Sequence, residues 1–236
     1  RVWNARLNDT TAGLAEASRT RFKVGKDPAD LQHALNYSQR AIQLDPNLAE
    51  AHAVLGRIYQ DTGQRDLAVI EFQRVLELEP HNAAALIGMG RTYEDLGRIA
   101  EAEEAFNKSV ELHPYDWSSL NSLATFYFHQ SRWADAETQL RRALRLTPDN
   151  PAVYSNLGII LTRRRKYSQA IQIFEQSLKL GPSDACHVNL GNIYYTQRRF
   201  QEAVAAYDRA LRLNSRNPRV WGAKGNALYH LRSPEA

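Results

Sequence analysis

Apolar and polar positions along this chain follow a helical spacing, and the spacing itself recurs about every 34 residues. In the stretch that opens at Ala49, Val54, Leu55, Ile58 and Tyr59 fall three and four residues apart, on one face of a predicted first helix. Asp61-Thr62-Gly63-Gln64 breaks that helix, and Gly63 suits the left-handed conformation in which helices end. A second helix is predicted from Arg65 to Glu79, with Leu67, Ala68, Ile70, Phe72, Val75 and Leu76 as its buried side. Pro80 lacks the amide hydrogen needed to continue it, so the chain turns into the next unit.

The same punctuation returns four more times. A large–small pair occurs at Leu55-Gly56, Met89-Gly90, Leu123-Ala124, Leu157-Gly158 and Leu190-Gly191. Twelve residues after each small residue comes Ala68, Ala102, Ala136, Ala170 or Ala203, and Pro80, Pro114, Pro148 and Pro182 close four of the units. Gly56 facing Ala68 would let two antiparallel helices approach closely, with Tyr59 and Phe72 filling the volume on either side. One such unit cannot cover its own apolar surface, so units must stack. The expected fold is an all-α, right-handed superhelical solenoid of antiparallel helix pairs running through residues 1–236 as a single body.

These residues carry a resemblance to the tetratricopeptide repeat, whose order is a large residue, Leu-Gly, Tyr, Ala, Phe, Ala, then Pro. The repeats that match are 49–82, 83–116, 117–150, 151–183 and 184–217. The third puts Ala124 in the glycine slot and Leu140 in the aromatic slot, the fourth is one residue short, and the fifth has Ser215 where proline is expected. Residues 11–46 read as an irregular first repeat, with a second helix over Asp30–Pro46 and a first helix near Thr11–Phe22 displaced by a four-residue insertion around Lys23–Pro28. Residues 218–236 read as the first helix of a truncated repeat, with Trp221, Gly225 and Leu228. Further repeats or another domain are expected after Ala236, because an uncapped apolar end is a liability.

Composition narrows the chemistry. No apolar run approaches the ~18 residues of a membrane span, and the opening Arg1-Val2-Trp3-Asn4 is not signal-like. The one cysteine, Cys186, cannot form an intrachain disulfide. A cytoplasmic location is the corresponding expectation. The net charge of +4 hides an asymmetry: residues 1–116 carry 13 Lys/Arg against 18 Asp/Glu, and residues 117–236 carry 17 against 8. No phosphate-cradling loop and no metal-spaced Cys/His cluster is present, so neither enzyme activity nor a cofactor is expected. His52 and His187 occupy packing slots, and His81 and His113 lie at inter-repeat turns. Cys186 and His187 are adjacent, and adjacent side chains on a helix point ~100° apart rather than at each other. The basic runs Arg163-Arg164-Arg165-Lys166 and Arg198-Arg199 fall at turns inside repeats, while Arg141, Arg142, Arg145, Arg209 and Arg212 lie on second helices. This placement reads as a solvated face first, an acidic protein contact second, and nucleic acid last.

The resemblance implies that first helices line a concave groove through six slots of each repeat. Here those slots give a charged early groove with Glu50, Arg57, Asp61, Arg91, Glu94 and Asp95. The later groove is polar and aromatic, with Asn121, Phe128, Asn156, Arg163, Asn189, Asn192 and Tyr195, then Arg219, Asn226 and Tyr229. Asn156 and Asn189 share one slot in successive repeats, and Asn192 and Asn226 share another. A carboxamide both donates and accepts, so a ladder of them can hold an extended chain by its backbone while Tyr195 and Tyr229 pack its side chains. This is similar to the asparagine-lined grooves of sugar-transferase and cargo-binding members of the family. The alternative use is as solvated residues or contacts to neighbouring helices. A carboxylate clamp fits poorly, because Ser155, Ile159 and Ala223 stand where a basic or amide group is required.

The chain therefore reads as a non-catalytic scaffold that binds a protein or peptide segment in its groove, with self-association through the solenoid ends also open. The runner-up makes it the regulatory or targeting segment of a larger bacterial signalling enzyme or transferase, by analogy with the tetratricopeptide tails of such proteins.

Overall fold

The computed structural model describes residues 2–232, with side chains from Thr10 onward; residues 233–236 of the last predicted segment lie outside the described residues. The described residues form helices α1 to α13 and no strand, in two compact units. The first unit holds α1 (Val2–Gly25), α2 (Pro28–Leu44), α3 (Ala49–Asp61), α4 (Arg65–Leu78), α5 (Ala83–Asp95) and α6 (Ile99–Leu112). The second holds α7 (Trp117–His129), α8 (Trp133–Leu146), α9 (Pro151–Arg163), α10 (Tyr167–Leu180), α11 (Asp184–Thr196), α12 (Phe200–Leu213) and α13 (Pro218–Arg232). Within each unit every helix packs on the next in sequence, and first helices also lie side by side, as α3 with α5 and α9 with α11.

The nearest neighbour of the glycine in each large–small pair is the ring of its own second helix. A Cβ at Gly56 would come 3.0 Å from the Phe72 ring, and one at Gly90 would come 3.0 Å from Phe106. At Gly158 and Gly191 the distances to Phe174 and Tyr207 fall to 2.6 and 2.4 Å, closer than real Cβ contacts allow. The glycine thus seats the aromatic ring of its own second helix. Phe72 is also covered from the following repeat, where a Cβ on Gly88 would come within 2.5 Å of its ring. Ala68, Ala102, Ala136, Ala170 and Ala203 are fully buried on the same second helices. The third repeat departs in a matched way, with Ala124 replacing the glycine and the narrower Leu140 replacing the ring, both buried.

Two further expectations change. Leu67 and Ile70 are 41% and 57% exposed, so they lie on the outer face of α4, and Val69 joins Ala68, Phe72 and Val75 inside. The residues around Lys23–Pro28 form no extended insertion loop. They lengthen α1 through Gly25 and leave a two-residue connection, in which Asp27 accepts a hydrogen bond from the amide of Ala29 and Pro28 opens α2. Pro28 is tolerated because the first helical amide has no partner to lose.

Each turn inside a repeat closes by the same backbone hydrogen bond, from Gln64, Arg98, Arg132, Lys166 and Arg199 to the carbonyls of Tyr59, Tyr93, Tyr127, Leu161 and Tyr194, at 2.8–2.9 Å. The residue before each donor has positive φ. Gly63 and Gly97 take this conformation freely, whereas Ser131, Arg165 and Arg198 hold it at 57–59° with a side chain attached.

Seating a ring on a glycine generates a double-mutant test. Gly158→Ala is expected to cost about 1–3 kcal/mol. Phe174→Leu in the same molecule should recover part of that loss, as the Ala124–Leu140 pair does naturally, with a coupling of about 1 kcal/mol. Denaturant unfolding of the two single variants and the double variant measures it, and strict additivity would count against the seat.

Candidate functional site

In the first unit, the predicted groove residues are largely used within the fold. Arg57 donates to Glu16 at 3.0 Å, and Arg19 bonds both Glu16 (2.7 Å) and Asp61 (2.5 Å), tying α1 to α3. Burial would push the Glu16 carboxyl up, but its hydrogen bonds and proximity to Arg19 and Arg57 hold it below the usual carboxylate range. Gln60 donates to the Gly88 carbonyl and to the Thr92 hydroxyl, both at 2.8 Å, and so bridges α3 to α5. Arg91 is exposed on α5.

In the second unit a cavity of about 520 Å³ is lined by Trp133, Ile159, Thr162, Arg163, Arg165, Tyr167, Asn189, Asn192 and Thr196. Beside it, and sharing Ile159, lies a cavity of about 190 Å³ lined by Ala124, Thr125, Phe128, His129, Leu140, Asn156, Ile159 and Ile160. The smaller cavity sits where the aromatic slot holds Leu140, so the missing ring leaves room at the face of the first helices. A third cavity, about 280 Å³, is lined by Tyr195, Thr196, Arg198, Phe200 and His230. There the Phe200 and His230 rings stack 4.9 Å apart, with Tyr195 edge-on to both.

The structure brings most of the predicted residues of this unit to those cavities, although two asparagines are partly engaged. Asn156 donates its amide to the Asn121 carbonyl oxygen at 2.7 Å, joining α9 to α7. The Asn192 carbonyl oxygen accepts from the Tyr207 hydroxyl at 2.8 Å. A carboxamide has further donors and acceptors, so both keep capacity for a ligand. Arg163 lies 5.8 Å from the centre of the Phe128 ring. Arg219, Asn226 and Tyr229 are exposed on α13 and line none of these three cavities.

The arginine runs divide sharply. Arg164, Lys166 and Arg141 converge on Glu137, which is only 6% exposed on α8. Burial raises the Glu137 pKa, but hydrogen bonds from Lys166 and Arg141 and their charges outweigh it, and the net direction is down. Arg199 bonds Glu202 and covers the Tyr194 ring, as Arg98 and Arg132 pair with Glu101 and Asp135 over Tyr93 and Tyr127. Arg163, Arg165 and Arg198 have no carboxylate partner among the described residues, and all three line cavities.

Reading the groove slots alone missed Trp133, Arg165, Tyr167, Arg198 and Phe200. Their signal was periodic: Trp133, Tyr167 and Phe200 each open the second helix of successive repeats, and Arg165 and Arg198 share the turn slot two residues earlier in two of them. Cys186 is buried, and its thiol lies 3.5 Å from both the Ser155 and Ser177 hydroxyls. His52 is 8% exposed and lies between the Glu71 carboxylate and the Pro46 carbonyl. Burial, helped by Arg209 and Arg212, lowers the pKa of His187. Among the described residues no group of three His, Cys, Asp or Glu is placed to hold a metal ion, and no helix is long and apolar enough to cross a membrane.

Residues 11–227 match the family described as the cilia and flagella-associated protein 70 C-terminal domain, a tetratricopeptide-repeat family. No curated protein matches by sequence. The structure is similar to a chain of the APC/C hetero-tetramer Cut9–Hcn1, with a TM-score of 0.72, 20% identity and 92% of this chain covered. This chain spans 43% of that one. It is also similar to PilF of Pseudomonas aeruginosa, with a TM-score of 0.72, 19% identity and coverage of 94% of this chain and 99% of that one. YrrB, described as a TPR protein with an unusual peptide-binding site, gives a TM-score of 0.60 at 19% identity, covering 80% of this chain and 97% of its own. At these identities the likeness is one of fold.

Two titrations test the packing around the site. Glu137→Gln should cost about 2 kcal/mol at neutral pH, because three cations lose a buried carboxylate. A depressed folded pKa contributes stability that is lost as pH falls through it, so wild type and variant should converge on acidification. Denaturant midpoints across an acid series measure this, and a constant gap would be the adverse result. Burial pushes the Tyr207 phenol from 10.0 to about 12, with Tyr195 the lesser cause. A raised folded pKa contributes stability present below pH 10 and lost as pH rises toward 12. Wild type should therefore lose stability more steeply than Tyr207→Phe in that interval, and parallel curves would count against it.

Proposed function

The chain belongs to the tetratricopeptide-repeat family, and from that premise we propose that it is a non-catalytic interaction scaffold. It binds an extended segment of a partner protein against the first helices of its second unit. The observation that carries this reading is the pair of neighbouring cavities along α7, α9 and α11, lined by Asn156, Asn189 and Asn192 together with Phe128, Trp133 and Tyr167. Carboxamides can pair with the peptide backbone irrespective of sequence, and the rings and Ile159 supply apolar contact. The unit-one face supports this choice by contrast, since Arg57, Asp61 and Gln60 are already bonded within the fold. YrrB, a tetratricopeptide-repeat protein of the same fold, has a peptide-binding site, and this supports the class of function without fixing the residues.

The test separates the two faces of the second unit. Partners captured by the wild-type chain and identified by mass spectrometry would be measured by calorimetry against two variants. Asn156→Ala with Asn189→Ala should weaken binding on the order of tenfold, the loss of two modest hydrogen bonds, with little change in melting temperature. Arg145→Glu, on an exposed second-helix position, should bind as wild type does. Equal binding by the asparagine variant would sink the reading.

A further inference from the structure

We propose that the second unit selects acidic segments: the cavity between α9 and α11 takes an aspartate or glutamate side chain of an extended partner peptide, and the adjoining cavity takes a neighbouring aliphatic side chain. This rests on the reading that partners bind this face, and it names their chemistry. The first observation is a sorting of charge that sequence alone does not show. Within Arg163-Arg164-Arg165-Lys166, the second and fourth cations converge on Glu137, whereas the first and third line the 520 Å³ cavity without a carboxylate partner among the described residues. No acidic side chain lines that cavity. Asn189 and Asn192 add amide donors around the same space, whereas the Thr162 hydroxyl is already donated to the Gly158 carbonyl. An anionic group entering there would meet two guanidinium groups that have no carboxylate partner among the described residues, together with neutral amide donors, and no acidic side chain in the lining.

The second observation is the backbone at the turn. Arg165 and Arg198 hold left-handed conformations at φ 57° and 59°, where glycine serves in the first two repeats. Each lines a cavity beside the aromatic residue that opens the next helix, Tyr167 or Phe200. Two successive repeats therefore present an arginine and a ring in the same arrangement, which suits a chain carrying acidic residues at more than one point. The third observation concerns the neighbouring side chain of the ligand. The 190 Å³ cavity beside this site is lined by Ala124, Leu140, Ile159 and Ile160, with Phe128 and His129 also in its wall, and this largely apolar space accommodates a branched aliphatic side chain.

A library of 12-residue peptides displayed on phage, selected on the full chain, tests this directly. The expected selectants are enriched in Asp or Glu next to Leu, Ile or Val, and their binding weakens steeply with added salt. Synthetic peptides from the selection should bind Arg163→Gln with Arg165→Asn about tenfold more weakly, the effect of two partly exposed charge contacts. Both positions are exposed, and asparagine tolerates the left-handed backbone at 165, so the variant should melt as wild type does. Selectants without acidic enrichment that still lose binding in Asn156→Ala with Asn189→Ala would overturn the acidic preference and leave the binding face standing. Selectants indifferent to both variants, or none at all, would overturn both. Tighter binding of an oligo-uridylate than of any acidic selectant would replace the acidic peptide by RNA.

Discussion

A ring seated on a glycine sets the geometry of this protein. Wherever Phe72, Phe106, Phe174 or Tyr207 projects from a second helix, a backbone without a side chain lies against it on the first helix, at distances where a Cβ would be tight for the first two rings and would clash with the last two. The contact fixes how closely the two helices approach, buries the largest side chains of the fold and thereby fixes which face of the first helix turns inward. The opposite face of each first helix is what remains for a partner.

Because the seat is so constrained, its one departure matters. Ala124 with Leu140 keeps the helices together by matching a larger first residue to a narrower second one. The exchange is not volume-perfect, and the cavity lined by both residues opens toward Phe128 and Asn156. A variation in core packing and a feature of the candidate binding face are thus one event. The neighbouring turn adds the charge. Glu137 gathers Arg141, Arg164 and Lys166, while strained turn positions carry Arg165 and Arg198 outward.

The two units divide the work by how they spend their polar groups. In the first, side chains that could meet a ligand bind one another: Glu16, Arg19, Arg57 and Asp61 knit α1 to α3, and Gln60 reaches across to α5. In the second, Asn121 and Asn156 pair with each other yet keep free valences, and cations stand unmatched at the cavity walls. Residues of the same polar kind are bonded within the fold in one unit and keep unused hydrogen-bonding capacity in the other, depending on whether a complementary group lies within reach.

The sequence by itself determined the helices, their pairing, the turns and the family, because periodic apolar spacing and obligatory small residues at fixed slots are local, repeated signals. It also singled out Asn156, Asn189, Asn192 and Tyr195, which the structure brings to cavities of the second unit. It expected Leu67 and Ile70 on the buried side, where they are exposed, since a period of 3.6 tells which residues share a stripe and not how wide the buried stripe is. Only the tertiary structure decided that glycine faces the ring, that Asn156 is partly engaged by Asn121, and which arginines of a run are neutralised. Those outcomes depend on distances between residues some 16 to 35 positions apart, and charges adjacent in sequence diverge once a helix ends and the chain turns.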